Sequence, residues 1–184
     1  ITVVSFYDGL GRLIQTKTRA QNDAQGRPRF IISDTVRFDS RGKVQQKFVP
    51  YFSNDNQNQF SEPDFNHSHI TIDYDSLGRV IRTTNPDGSS SSVNYDILSR
   101  GNARDAQEAN MPEAGFSVKT VTDERGNQTT YISDVNGRLI EVVEHCLNPR
   151  THEPENYRTH YFYDAKDNLI SITDHLGNTT NITY

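Results

Sequence analysis

A short phrase returns along this chain and limits what it can fold into: an aromatic residue, Asp, two variable residues, Gly, Arg, then Leu-Ile or Val-Ile. It reads Tyr7-Asp8-Gly9-Leu10-Gly11-Arg12-Leu13-Ile14 near the start and Tyr74-Asp75-Ser76-Leu77-Gly78-Arg79-Val80-Ile81 later. Looser copies are Phe38-Asp39-Ser40-Arg41-Gly42-Lys43-Val44, Asp134-Val135-Asn136-Gly137-Arg138-Leu139-Ile140 and Tyr163-Asp164-Ala165-Lys166-Asp167-Asn168-Leu169-Ile170. Self-similarity decides architecture before any single residue suggests a chemistry. The expectation is a repeated β-hairpin, and with it a structural role.

Asp-x-x-Gly is what a type I turn followed by a left-handed residue requires. The Asp carboxylate accepts backbone amides inside the turn, and Gly takes the positive φ at little cost. A loop of this length leads straight into a returning strand. The register then places Asp8 opposite Arg12 and Tyr7 opposite Leu13. It pairs Asp75 with Arg79, Tyr74 with Val80, and Tyr163 with Leu169 in the same way. Cross-strand charge pairs and aromatic–aliphatic pairs each contribute about 0.2–1 kcal/mol.

A second phrase alternates with the first: Thr122-Asp123-Glu124-Arg125-Gly126-Asn127 and Thr173-Asp174-His175-Leu176-Gly177-Asn178, with Thr84-Asn85-Pro86-Asp87-Gly88-Ser89 as a relative. It keeps the turn chemistry and places Thr or Ser in the following strand, where β-branching suits an extended backbone. Turn positions Asp75, Asn85 and Asp96 are spaced by 10 and 11 residues, Asp123 and Asp134 by 11, and Asp164 and Asp174 by 10. A unit of about 21 residues, turn–strand–turn–strand, gives an antiparallel meander with strands of about six to eight residues. The same spacing predicts an Asp after Tyr184, so the expectation is a piece of a longer chain.

The Leu-Ile and Val-Ile pairs bear on the two faces of the sheet. Neighbours on a regular strand point to opposite sides, so Leu139 and Ile140 are not expected to share one core. Apolar groups on both faces argue for a curled sheet lined on one side.

Composition agrees with a thin sheet: of 184 residues only 33% are hydrophobic. The net charge of -5 leaves no basic face for nucleic acid. No apolar run reaches the roughly 18 residues of a membrane-spanning helix. Cys146 stands alone, which rules out an intrachain disulfide framework.

Two stretches interrupt the pattern. Residues 53–69 are polar and loop-like, and residues 97–116 break the turn motif, with Ser99 where Gly belongs and room for a short helix or an irregular excursion. Cys146 to Asn156, containing Pro149 and Pro154, reads as a long hairpin loop. The expectation remains one continuous sheet, a single block over residues 1–184.

These residues resemble the RHS/YD-repeat family, named for its Tyr-Asp. Segments Tyr7 to Lys17, Arg37 to Phe52, and Leu77 through Gly88 resemble more specifically the B components of bacterial Tc insecticidal toxins and SpvB-type proteins. The resemblance implies a spiralling β-sheet that closes into a hollow shell around a toxic C-terminal polypeptide, in a secreted or surface protein. Related repeats in animal teneurins form a comparable barrel. The partners it implies are the remaining shell, in the same or another subunit, and the enclosed chain. The autoproteolytic aspartyl segment of such shells finds no match here.

Other chemistries are weaker. His67-Ser68-His69 offers two imidazoles but no third ligand fixed by the sequence, and two loop histidines are the simpler reading. His145 and Cys146 are adjacent, so on a strand they point apart and do not form a dyad. Turn capping accounts for the Asp residues without calcium. Tyr7, Phe38, Tyr74, Tyr95 and Tyr163 could form a sugar-binding stripe, against which stands ordinary cross-strand packing. Asn66, Asn127, Asn178 and Asn181 match glycosylation acceptors, relevant only in a eukaryotic secretory protein.

The reading is an all-β, non-enzymatic section of an encapsulating shell, with no cofactor, metal, nucleic acid or membrane span. The alternative is a cell-surface module binding carbohydrate or a protein. The residues that carry it are the turns: Tyr7, Asp8, Gly11, Arg12, Asp39, Gly42, Tyr74, Asp75, Gly78, Arg79, Asp123, Gly126, Asp134, Gly137, Arg138, Tyr163, Asp164, Asp174 and Gly177.

Overall fold

The computed structural model describes residues 2–64, 66–98, 115–148 and 150–184. Every regular element among them is a β-strand, and the strands pair antiparallel. The chain divides into two compact units, Ile1–Ser90 and Ser91–Tyr184.

In the first unit, β1 (Val3–Tyr7), β2 (Leu13–Arg19), β3 (Phe30–Ser33) and β6 (Tyr51–Ser53) form a four-stranded sheet in that order. A second ladder runs β4 (Val36–Phe38), β5 (Val44–Phe48), β7 (His69–Tyr74) and β8 (Val80–Thr84). The expected single continuous sheet is therefore corrected. After β3 the chain leaves the first sheet, makes the β4–β5 hairpin, and returns to it with β6. Asp34 at φ 55 marks the exit.

The second unit is a plain meander of β9 (Ser90–Leu98), β10 (Phe116–Thr122), β11 (Gln128–Ser133), β12 (Leu139–Leu147), β13 (Pro154–Tyr163), β14 (Leu169–Thr173) and β15 (Thr179–Asn181). Asp96 is not a turn residue: it sits inside β9 opposite Val118. Without Gly three positions on, nothing there accepts a left-handed backbone cheaply. Of residues 97–116, where the excursion or helix was expected, 97–98 continue β9 and Phe116 opens β10, and 99–114 lie outside the described residues. The loop expected over Cys146–Asn156 is shorter. Cys146 pairs with Glu155 and Leu147 with Pro154, and the connection closes between Asn148 N and Glu153 O at 2.9 Å.

Each unit has a small core. Leu98, Phe116, Val118 and Ile132 form an apolar cluster in the second, with Ile140 packed against it. Glu141 is buried beside it and pairs with Arg158 at 2.6 Å. In the first unit Phe30, Ile32 and Phe48 are buried, together with Gln15, Lys17 and Thr35. A fully buried aliphatic or aromatic side chain stabilises by about 1.5–3 kcal/mol, so cores this thin leave much of the order to hydrogen bonds and turns.

Strict alternation fails at the Leu-Ile and Val-Ile pairs, because a β-bulge follows each Tyr-Asp turn. Tyr7 pairs with Leu13 and Phe6 with Gln15, so Ile14 is the extra residue. Ile81, Ile140 and Ile170 are extra in the same way. A bulge sets two residues against one and interrupts the pleat, which lets Ile140 reach the apolar cluster.

Candidate functional site

The recurring turns are built alike. Asp8 N donates to Arg12 O at 2.9 Å and Gly11 N to Asp8 O at 3.0 Å. Asp8 Oδ1 accepts the amides of Leu10 and Arg12, while Arg12 Nε reaches Oδ2 at 2.7 Å. These bonds, led by the Arg12 amide, hold the Asp8 carboxyl below its usual range. Asp75 with Arg79 and Asp134 with Arg138 repeat the arrangement. Gly11, Gly78 and Gly137 take φ near +75, +79 and +81. Asp167 takes φ 64 in the turn at 164–168, where the sequence has no glycine.

The second phrase replaces Arg by Asn. Asn127 Nδ2 bonds Asp123 Oδ2 at 2.7 Å and Asn178 Nδ2 bonds Asp174 Oδ2 at 2.8 Å. The glycosylation-type Asn127 and Asn178 therefore spend their amides inside the turn. Here the ladder resumes without a bulge, Thr122 opposite Gln128 and Thr173 opposite Thr179.

Within each unit, contacts then pass from one of these turns to the next. In the first unit the Arg12 guanidinium lies 3.6 Å from the centroid of the Phe38 ring, and its Nη1 donates to Gly42 O at 3.0 Å. Lys43 Nζ lies 5.4 Å from the centroid of the Tyr74 ring, whose hydroxyl donates to Val44 O at 2.9 Å. Arg41 Nη1 donates to Asp75 O at 2.7 Å. The second unit repeats this: Arg138 sits over Tyr163, its Nη1 meets Asp167 Oδ1 at 2.7 Å, and Tyr163 Oη donates to Leu139 O at 2.9 Å. Tyr184 Oη makes the equivalent bond to Leu169 O at 3.2 Å. Cation-over-ring contacts of this kind stabilise by about 0.5–2 kcal/mol. The aromatic of the repeat is thus a clamp between hairpins: Phe38, Tyr74 and Tyr163 are occupied by their neighbours, while Tyr7 is exposed and Tyr95 faces Lys119 across β9–β10.

One turn escaped the sequence reading. Asp23-Ala24-Gln25-Gly26-Arg27 has the same bonds, Asp23 N to Arg27 O at 3.0 Å and Arg27 Nε to Asp23 Oδ2 at 2.7 Å. Its signal was present as Asp-x-x-Gly-Arg, without the preceding aromatic.

The remaining candidates separate. His67 stacks on Tyr51 with centroids 3.8 Å apart, whereas His69 Nδ1 is bonded to His67 O and its ring packs on Phe48. His145 lies in β12 between Thr130 Oγ1 at 2.9 Å and Asn156 Oδ1 at 3.0 Å. It and Cys146 line an open hollow of about 680 Å³ with Gln128 and Asn156. No group of three or more metal-ligating side chains occurs among the described residues.

No family model and no curated protein sequence matches this chain. Solved structures do. A crystal structure of TcdB2-TccC3 without its hypervariable C-terminal region matches with a TM-score of 0.64 at 19% identity over 94% of this chain. TcdB2-TccC3 with Cdc42 gives 0.64 at 20%, and the Photorhabdus luminescens Tc holotoxin pore gives 0.63 at 18%, each again over 94% of this chain. In each case the match covers 9% of the other chain. The chain has the all-β fold of a short segment of a Tc toxin B–C chain.

Proposed function

We propose that this chain is a non-catalytic section of the wall of an RHS-type shell, in a secreted or surface-displayed bacterial toxin. The shell encloses a toxic polypeptide and shields it from solvent, proteases and the producing cell. The rest of the shell, in the same or a partner subunit, is its immediate neighbour, and the enclosed polypeptide is its cargo.

The observation that carries this reading is the run of clamps from one Tyr-Asp turn to the next. Chemistry-bearing side chains are spent on joining hairpins: Arg12 on Phe38 and Gly42, Tyr74 on Val44, Arg138 on Tyr163 and Asp167. Such an interface can be repeated without limit, which suits a wall. The bulge after each of these turns bends its strand and increases local twist, which suits a curved one. The likeness to Tc toxin chains supports the same reading.

The test is electron microscopy and protease challenge of the native protein that carries this chain. A closed particle with internal density, whose cargo is digested only after denaturant opens the shell, is the expected result. An open sheet, or a cargo digested as fast as the isolated polypeptide, would overturn it.

A further inference from the structure

Residues 54–64 follow β6 and cross the first sheet with no strand or helix of their own. Most of their side chains face solvent, yet beneath them lie two of the most buried side chains described, Gln15 and Lys17, each with 0% exposure. Gln15 grips one residue of the strap from both sides: its Nε2 donates to Ser61 O at 2.8 Å and its Oε1 accepts Ser61 N at 3.2 Å. Lys17 Nζ donates to Asn56 O at 2.9 Å and to Ser61 Oγ at 2.6 Å. The Phe60 ring packs edge-on against Phe6, centroids 6.2 Å apart. Arg37 adds Glu62 at 2.6 Å and Pro63 O at 3.1 Å.

Three of the four bonds from Gln15 and Lys17 read main chain. They hold the strap backbone on either side of its turn at 56–59 without regard to most of its side chains, and the Phe60 ring, the Ser61 hydroxyl and the Glu62 carboxylate add selectivity. Lifting the strap uncovers an amide and an ammonium, which water solvates well, and gives up the Phe60–Phe6 contact and the burial of Pro63. Segments with few buried apolar contacts open locally at low cost.

We propose that residues 54–64 are a displaceable strap seated in a polypeptide-binding site formed by Phe6, Gln15 and Lys17. The site takes a segment that turns ahead of an aromatic residue followed by Ser or Thr. The strap is the site's own tethered occupant and keeps it closed until a competing chain arrives. The site depends only on the first unit's geometry and stands whether or not the chain belongs to a shell.

The probe is a labelled peptide with the sequence of residues 54–64, added to the whole chain and to a variant whose strap cannot seat, Phe60→Ala with Ser61→Pro. Tethering places the native strap at an effective concentration on the order of millimolar, so free peptide competes poorly with it. The peptide is expected to bind the variant at least about tenfold more tightly than the wild type, and Gln15→Ala in the variant is expected to abolish binding. Equal affinity for both proteins, or no binding to a variant whose circular dichroism matches wild type, would overturn the proposal. Should the variant fail to fold, amide exchange in the wild type decides. Ser61 N–H exchanging about a hundredfold faster than the β2 amides supports a strap that opens, and equal rates refute it.

Discussion

Along one edge of the second unit the turns at 134–138 and 164–168 lead into bulges; along the other, the turns at 123–127 and 174–178 lead into unbroken ladders. The turn bonds themselves are nearly the same on both edges, since Asp134 and Asp123 each accept the amides two and four residues on. What differs is the reach of the side chains around them. On the bulged edge Arg138 extends to Tyr163 and Asp167, and Tyr163 reaches Leu139 O. On the other edge Asn127 and Asn178 are short and turn inward to Asp123 and Asp174. On the bulged edge the Arg and Tyr side chains join successive hairpins; on the other the Asn side chains close their own turns, and it is His175 that reaches a neighbouring strand, at Tyr157.

Deleting Ile140 tests that contrast most severely. Without the extra residue β12 can keep its partners from Glu141 onward, so the deletion removes the bulge after the turn and takes the Ile140 side chain away from the apolar cluster. The expected cost is about 4 kcal/mol or more, seen as loss of the cooperative urea transition of the second unit. Deleting Gln128, which follows a turn without a bulge, is the comparison. A wild-type transition after Ile140 deletion would show that the bulge specifies nothing.

The first unit offers a matched pair of glycines. A Cβ on Gly78 would lie 2.5 Å from Lys43 Cε with φ at +79, whereas Gly88 at φ +84 has nothing within 4 Å. Gly78→Val and Gly88→Val are each expected to cost about 1–3 kcal/mol in backbone strain, and Gly78→Val about 0.5–1 kcal/mol more, because it pushes the flexible Lys43 side chain off the Tyr74 ring. Equal shifts in urea midpoint would remove the neighbour contact from the argument.

Tyr163→Phe removes one hydroxyl from the clamp and leaves Leu139 O without that donor, for an expected loss of about 1 kcal/mol. Tyr131→Phe, on a half-exposed side chain between the edges, is expected to change stability by less than about 0.5 kcal/mol. If both melt alike, the clamp contributes nothing.

Acid touches both edges at once and each turn only slightly. The Lys43 amide holds Asp39 low, the Asn127 side chain holds Asp123 low, and the Asn168 and Asn178 side chains do the same for Asp164 and Asp174. A carboxyl whose folded pKa is depressed contributes stability above its unfolded value, near pH 3.9, and loses it as pH falls through the folded value. Turn amides such as Asn127 N–H are expected to keep their protection at pH 5 and lose it progressively below about pH 3.9, followed by NMR. Unchanged protection at pH 2 would exclude the carboxylates as turn anchors.

The turns were legible because the bonds that close them span four residues or fewer, and the register of the flanking strands follows from them. Asp8 to Arg12, Asp75 to Arg79 and Tyr163 to Leu169 fall where the spacing puts them. The Asp23–Arg27 turn was equally legible in principle and was hidden only by the missing aromatic. Asp96 misled because spacing alone favoured a turn that its successors cannot make.

What the sequence by itself determined is therefore local: Asp, Gly and Arg or Asn set each hairpin, since a five-residue turn closes on its own backbone. The tertiary structure decided everything that depends on residues distant in the chain. It chose Gln45, Ile81 and Ile140 as unpaired positions, sent Tyr74 to Val44 and Tyr163 to Leu139, and drew the polar strap over Gln15 and Lys17. The physical reason is that a polar stretch such as 54–64 carries no periodicity of its own. Its place is set by the buried amide and ammonium that must find partners, about 40 residues earlier in the chain.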